Sequence, residues 1–160
     1  VLKGALSSIF HDVNYVNAPF LAKQRGIEIK IIKSEAPSSY TSLLKVKMIT
    51  DIEENNVSVS LIAKNIARVV KLNDYDVIIK PNEHILIVPH INQIAMVAKV
   101  ANALCEDNIN IGSMNVSQNI KGSDMSIMAI DIDSALSEEM LSKISKIDGV
   151  HNPKYIKLNI

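Results

Sequence analysis

The stretch HILIVPHINQIAMVAKVANALCEDNINIGSM, residues 84–114, predicts a strand, a polar corner, a helix and the beginning of a second strand. The apolar run His84–Pro89 is typical of a buried strand. The polar corner follows at residues 90–92, and the helix continues to about Asp107 with apolar residues at three- and four-residue steps. We expect one stripe of this helix to lie against a sheet. The stripe contains Ile94, Val97, Ala98, Ala101, Leu104 and Cys105.

The polar corner is a candidate small-molecule site. Asn92 is predicted to cap the helix, whose first N–H groups have no intrahelical partner and attract small anions such as a carboxylate. His90 adds an imidazole, which can donate or accept a hydrogen bond. The alternative interpretation is structural: His90 is bonded to the backbone at the end of the strand, and Asn92 is a cap alone.

The residues after this stretch complete a recognisable order of elements. A change in the parity of the apolar positions at Gly112 predicts a β-bulge. Met125–Ile132 is the predicted returning strand, Ser137 begins a second helix, and Val150–Leu158 is the last strand. The order βαββαβ predicts a ferredoxin-like fold with both helices on one face of an antiparallel sheet.

The first half predicts a separate, small α+β unit. Helices are expected over Leu2–Phe10 and from Asn17 to Gly26, and a loop is expected over residues 35–39. A boundary near residues 80–83 divides the chain into domains 1–81 and 82–160. The predicted strands of the first half are Ile27–Lys33, Leu43–Thr50, Val57–Ile62, Ile66–Leu72 and Asp76–Ile79.

Composition argues against several classes of function. The chain has 160 residues, zero net charge and two arginines, so nothing favours a nucleic acid partner. One cysteine cannot form an internal disulfide, which is typical of a reducing cytoplasm. No apolar run reaches the roughly 18 residues of a membrane span. The five glycines are too scattered for a nucleotide-binding loop. We therefore expect a soluble, cytoplasmic protein that contacts neither nucleic acid nor membrane.

Arg68 and Lys71 form a candidate anion site, because a guanidinium fork matches the oxygens of a phosphate. Solvated surface charge is the alternative interpretation. No group of side chains has the spacing of a catalytic site. Asp131 and Asp133 are interpreted as surface acids, so no metal site is predicted.

Several motifs resemble a known enzyme family. The βαββαβ half, with His90, Asn92 and INIGSMNVS over residues 109–117, resembles an ACT domain, an amino-acid-sensing module. The first half contains VNYVNAP (13–19), LAKQRGIEI (21–29), YTSLLKVK (40–47) and ARVVKLNDYDV (67–77). Together these motifs resemble the C-terminal regulatory half of the D-3-phosphoglycerate dehydrogenases. There, an intervening domain, also called the allosteric substrate-binding domain, precedes the ACT domain.

The resemblance implies an effector site between two ACT domains. L-serine or another small amino acid would be held by His90 and Asn92 of one subunit and Asn110 of the other. It also implies self-association through the ACT domains. The catalytic domain, which would bind NAD, would lie upstream, in keeping with a chain that begins at Val1 rather than Met; no cofactor is expected in these residues.

Two alternatives remain open. Ile94 and Ala95 stand where the family usually has Pro-Gly, which favours a purely structural assembly domain with a lost effector pocket. The motifs INIGSMNVS and KGSDMSIMAIDID (121–133) also resemble the regulatory region of the iron–sulfur L-serine dehydratases. The catalytic serine-binding and cysteine motifs of those dehydratases are absent from the sequence.

Overall fold

The computed structural model describes residues 1–7, 9–34, 40 and 42–159, which divide into two compact units, 1–38 and 39–160. The loop predicted over residues 35–39 lies outside the described residues. The boundary predicted between residues 81 and 82 falls inside the second unit, between its two sheets, and stays a prediction.

The first unit contains helices α1 (Leu2–Leu6) and α2 (Ala18–Gln24). Its small core consists of Leu6, Val13, Ala18 and Ala22. The asparagines of the VNYVNAP motif fold the turn that precedes α2: the Asn14 side chain accepts a hydrogen bond from the Asn17 N–H at 2.9 Å, and the Asn17 side chain accepts one from the Asn14 N–H at 2.8 Å. Asn17 therefore holds the turn with its side chain instead of capping the helix with it.

The strand predicted over Ile27–Lys33 is wrong, because these residues belong to neither sheet of the described structure. Their alternating apolar side chains are all exposed, including Ile31 at 82%. Alternation predicts a strand only when a partner strand accepts its hydrogen bonds, and none of the described residues pairs with this segment.

The second unit begins with a four-stranded antiparallel sheet in chain order. Its hairpins form at the polar breaks between apolar alternating segments, as predicted. The strands are β1 (Leu43–Ile49), β2 (Glu54–Ala63), β3 (Ile66–Leu72) and β4 (Tyr75–Ile79).

The rest of the second unit is the predicted βαββαβ fold. Its elements are β5 (His84–Ile91), α3 (Met96–Glu106), β6 (Ile111–Gln118), β7 (Met125–Ile132), α4 (Glu138–Ser145) and β8 (Lys154–Lys157). The sheet has the order β6-β7-β5-β8, and every neighbouring pair is antiparallel. The ferredoxin-like arrangement and the α+β class are therefore confirmed.

Apolar side chains cover both faces of this second sheet. On one face, α3 and α4 pack on alternate residues of β5 and β7, such as Leu86 and Met128. On the other face, β4 packs against Ile85 and Ile127. Burial on both faces explains why β5 and β7 are almost continuously apolar.

The predicted bulge is present. Ile111 is opposite Ile132 and Ser113 is opposite Asp131, so Gly112 is the extra residue. A Cβ atom on Gly112 would lie 2.8 Å from Oδ2 of Asp131, which explains why glycine occupies this position.

The stripe predicted for α3 is wrong in its orientation. The buried residues of the helix are Met96, Val100, Ala103 and Leu104, so only Leu104 of the predicted stripe is buried, and Cys105 is exposed rather than in the core. Both sets recur at three- and four-residue steps, so periodicity alone could not distinguish them. The other side of α3 therefore carries an exposed apolar stripe of Val97, Ala98 and Cys105, with Ala101 half-buried.

A helix that spans a membrane needs at least 18 predominantly apolar residues, and none of the helices in the described part of the chain meets this requirement.

Candidate functional site

The polar corner lies where β5 ends, and hydrogen bonds fix its backbone. The Ile91 N–H donates to the Gly149 carbonyl at 2.8 Å, and the Asn92 N–H donates to the Asp124 carbonyl at 2.7 Å. His90 is 2% exposed, and its Nδ1 lies 2.8 Å from the carbonyl oxygen of Ile91. The structural interpretation of His90 is thus confirmed in part, since its ring does bond the backbone.

Asn92 does not cap α3, which corrects the prediction. The helix begins four residues later, at Met96, and its N-cap residue is Ala95, which makes no side-chain cap bond. Ala95 has φ +68°, in the left-handed region that favours glycine. The extra turn between Asn92 and Met96 leaves the Asn92 side chain exposed beside the corner.

Asn110 lies at the opposite end of the sheet from His90. Its N–H donates to Oδ1 of Asp133 at 3.2 Å, and its carbonyl accepts from the Asp133 N–H. Because β5 and β6 run in the same direction on either side of β7, the start of β6 lies far from the end of β5. Eight strand residues span about 23 Å. Asn110 and His90 of one chain therefore cannot contact the same small molecule.

A cleft of about 300 Å³ lies at this opposite end. The side chain of Asn82 donates to Asp131 within it, and Nδ1 of His84 lies 2.6 Å from the Tyr155 hydroxyl outside it. The sequence indicates that Asp131 is a surface acid. In the structure its carboxylate accepts a half-buried hydrogen bond from Asn82, which is 49 residues distant in sequence. The lining residues are Asn82, Glu83, His84, Gly112, Asp131, Ile132 and Asp133.

Arg68 and Lys71 lie on the same face of the first sheet, although an odd spacing in a regular strand would place them on opposite faces. A register shift in β3 pairs Arg68 with Ser60 and Lys71 with Ser58, and these two serines are both buried. Arg68 Nη1 donates to the carbonyl of Ala67 at 2.8 Å, and Lys71 Nζ lies 3.8 Å from Asp76 Oδ1. Both cations thus have partners but share one surface.

Within the part of the chain that the structure describes, no group of three or more histidine, cysteine, aspartate or glutamate side chains could hold a metal ion.

Comparison with known proteins gives a family match for the first part of the chain. Residues 1–73 match the model of the D-3-phosphoglycerate dehydrogenase intervening domain. The D-3-phosphoglycerate dehydrogenase of Synechocystis sp. is 30% identical over 158 residues, which cover 98% of this chain and 28% of that enzyme. The enzyme of Methanocaldococcus jannaschii is also 30% identical over 158 residues, with 98% and 30% covered. The chain thus spans less than a third of the length of these relatives.

A probable L-serine dehydratase β chain from Bacillus subtilis is 23% identical over 150 residues, which cover 94% of this chain and 68% of that protein. Its similarity is lower than that of the two dehydrogenases, although it extends over more of its own length. The match over residues 1–73 and the two dehydrogenase alignments agree with the motifs on both halves of the sequence. The chain resembles the C-terminal regulatory portion of a D-3-phosphoglycerate dehydrogenase.

Proposed function

We propose that this chain is the regulatory and oligomerisation region of a cytoplasmic D-3-phosphoglycerate dehydrogenase and binds L-serine between two ACT domains. The parent enzyme would oxidise 3-phosphoglycerate with NAD, which binds to a catalytic domain outside these residues, in serine biosynthesis. The observation that carries the proposal is the similarity to dehydrogenase relatives over 98% of the chain. The ferredoxin-like topology of its second half supports it.

The separation of His90 and Asn110 favours a site shared by two subunits. Two β6 strands that pair antiparallel about a two-fold axis place the start of one strand beside the end of the other. The end of β6, Gln118, lies opposite Ser126, which in turn lies opposite His90. Such a dimer would bring the partner subunit's Asn110 to the same end of the sheet as the corner.

Two surfaces are suited to this self-association. β6 is an edge strand in the described sheet, and an unpaired edge readily accepts another strand. The exposed apolar stripe on α3 provides small residues, Ala98 and Ala101, against which a second helix can approach closely. We therefore assign the β6 edge and the exposed stripe of α3 to the contact between subunits.

The groups at the corner suit a small amino acid. Asn92 of one subunit and, in the proposed dimer, Asn110 of the other each provide an exposed amide that can donate and accept hydrogen bonds. The N–H groups at the start of α3, an eleven-residue helix, favour a carboxylate. His90 lies beneath the corner. A few charge-assisted hydrogen bonds of roughly 1.5–3 kcal/mol each, less ordering costs, correspond to micromolar or millimolar affinity.

Regulation would follow from differential affinity. If L-serine binds across the ACT interface more tightly in one quaternary state, it shifts the enzyme towards that state by the ratio of the two affinities.

The test is calorimetric titration of L-serine into the 160-residue chain, with glycine and D-serine as control ligands. Saturable heat with L-serine, lost in Asn92→Ala and in Asn110→Ala, is expected. Ultracentrifugation of Ala98→Glu, with Asn102→Glu on the polar side of α3 as its matched control, tests the interface. Only Ala98→Glu should weaken the dimer.

The alternatives predict different results. A dimer that gives no heat at millimolar L-serine would refute effector binding and leave an assembly domain, which Ile94 and Ala95 favour. Iron–sulfur cluster ligands encoded next to this region, instead of a nucleotide-binding domain, would identify a serine dehydratase.

A further inference from the structure

His90 and Ser126 form a buried polar pair between β5 and β7. The two residues are directly opposite in the register of the sheet, and they are 2% and 0% exposed. Side chains of a strand alternate between faces, so both lie on the face of Leu86, Val88, Met128 and Ile130, under the helices. Residues directly opposite in an antiparallel pair have Cβ atoms roughly 4.5–5.5 Å apart, which is within reach of a hydrogen bond between their side chains.

The hydrogen bonds of His90 determine which ring nitrogen carries the proton. Nδ1 lies 2.8 Å from the Ile91 carbonyl oxygen, which can only accept, so Nδ1 is the donor. In the neutral ring, Nε2 is then an acceptor. Both Nε2 of His90 and Oγ of Ser126 are buried without a hydrogen-bond partner among the described residues. A buried polar atom without a partner is destabilising, and these two atoms are complementary.

We propose that Ser126 is a positioning residue of the effector site: its hydroxyl donates to Nε2 of His90 and so holds the imidazole against the Ile91 carbonyl. The Ser126 hydroxyl can occupy any of three staggered positions about a single torsion, so it can change direction without a change in the backbone. The inference rests on the proposed function for the ligand, L-serine, but not for the hydrogen bond itself.

The proposed hydrogen bond connects Ser126 on β7 to the backbone of the corner through the His90 ring. The Ile91 carbonyl accepts from the His90 ring and also from the Gln93 N–H at 2.8 Å, so the ring helps to fix the peptide that precedes Asn92. Asn92, which is exposed, makes the contact with the effector, and His90 acts through its position. Ser126 thereby determines how well Asn92 is preorganised.

The hydrogen bond can be tested without any ligand. Two-bond ¹H–¹⁵N correlation spectra of the ¹⁵N-labelled chain distinguish protonated from unprotonated ring nitrogens, and the His90 signals among the four histidines are assigned from His90→Gln. We expect Nδ1 protonated and Nε2 unprotonated. Ser126→Ala should move the Nε2 signal, Ser126→Thr should retain the wild-type position, and Ser142→Ala, an exposed serine on α4, should change nothing.

A protonated Nε2 in the wild-type chain, or an identical Nε2 signal in the wild-type chain and Ser126→Ala, would overturn the proposal. If Ser126→Thr does not fold, these two spectra still decide it, and thermal unfolding confirms that Ser126→Ala is folded.

The affinity for L-serine then tests whether Ser126 positions the effector site. Loss of one net hydrogen bond should weaken L-serine binding by about three- to tenfold in Ser126→Ala, whereas Ser142→Ala should bind as the wild-type chain does. Equal affinity in Ser126→Ala and the wild-type chain overturns the positioning role. If the wild-type chain does not bind L-serine, the proposed function fails, while the ring spectra still establish or refute the Ser126–His90 bond.

Discussion

Ala95 is the residue at which a single substitution tests the geometry of the corner most directly. It has φ +68°, its side chain is exposed, and its carbonyl accepts the first bond of α3, from the Lys99 N–H at 2.9 Å. The left-handed conformation costs an L-residue roughly 1–2 kcal/mol, because Cβ crowds the following carbonyl oxygen. Glycine avoids that cost. In Ala95→Gly the positive φ would therefore be adopted without strain, and the Lys99 hydrogen bond would remain.

The expected magnitude is the difference between two effects. Glycine removes the strain but gives the unfolded chain about 0.5–1 kcal/mol of additional conformational entropy. The net result is a stabilisation of about 0.5–1 kcal/mol, which for a chain of this size raises the melting temperature by roughly 1–4 °C. Differential scanning calorimetry or urea unfolding measures it.

The matched control is Ala98→Gly, one turn further along the same helix and also exposed. Its backbone is helical, so the same substitution should destabilise by about 1 kcal/mol. Opposite signs at the two positions are the expected result. If Ala95→Gly destabilises the chain as much as Ala98→Gly does, the positive φ of Ala95 is wrong. Removal of the Ala95 methyl group should also tighten L-serine binding, if the methyl group limits the approach of the ligand to the backbone.

Three other parts of the structure can also be tested by substitution. Gly112→Ala should destabilise by about 1 kcal/mol, because its Cβ displaces the Asp131 carboxylate from its hydrogen bond, and the effect should disappear in an Asp131→Ala background. Lys143 has a pKa raised above 10.5 by hydrogen bonds to two carboxylates at the end of α3, so its contribution to stability should be complete below pH 10.5 and be lost as the pH rises through the raised value. Arg68→Ala and Lys71→Ala should each weaken binding of inorganic phosphate, measured by titration calorimetry.

Each of these predictions has its own control. The melting temperature of Lys143→Met should fall less steeply above pH 10.5 than that of the wild-type chain. Equal slopes in the two proteins would contradict a stabilising role of the Lys143 ion pairs. For phosphate binding, Lys154→Ala on β8, an exposed lysine in the other sheet, is the comparison, and equal losses in all three variants would show only a general effect of charge.

Local signals in the sequence predicted much of the second half. Ser137 caps α4, accepting a hydrogen bond from the Met140 N–H at 3.1 Å, and serine before a helical pattern is a local signature. The bulge at Gly112 follows from the parity of the apolar residues on either side of it. Both features depend on a few neighbouring residues, so periodicity and residue type are sufficient to find them.

The corner was predicted only in part, because its geometry depends on distant residues. Asn92 has the residue type of a helix cap, yet its N–H donates to the carbonyl of Asp124, a residue distant in sequence, and α3 begins only at Met96. Ser126 gave no signal in the sequence, since a serine within a strand predicts no partner. Only the register of β7 against β5 places it opposite His90.

The order βαββαβ, the bulge and the residue types at the corner are all predictable from the amino-acid sequence, because hydrophobic periodicity and capping act over a few residues. Packing between distant segments selects which of two apolar sides of α3 is buried, and among the described residues no strand pairs with Ile27–Lys33. The tertiary structure also separates His90 from Asn110. These features depend on hydrogen bonds and packing between segments distant in sequence, whose free energy exceeds the local preferences of either segment.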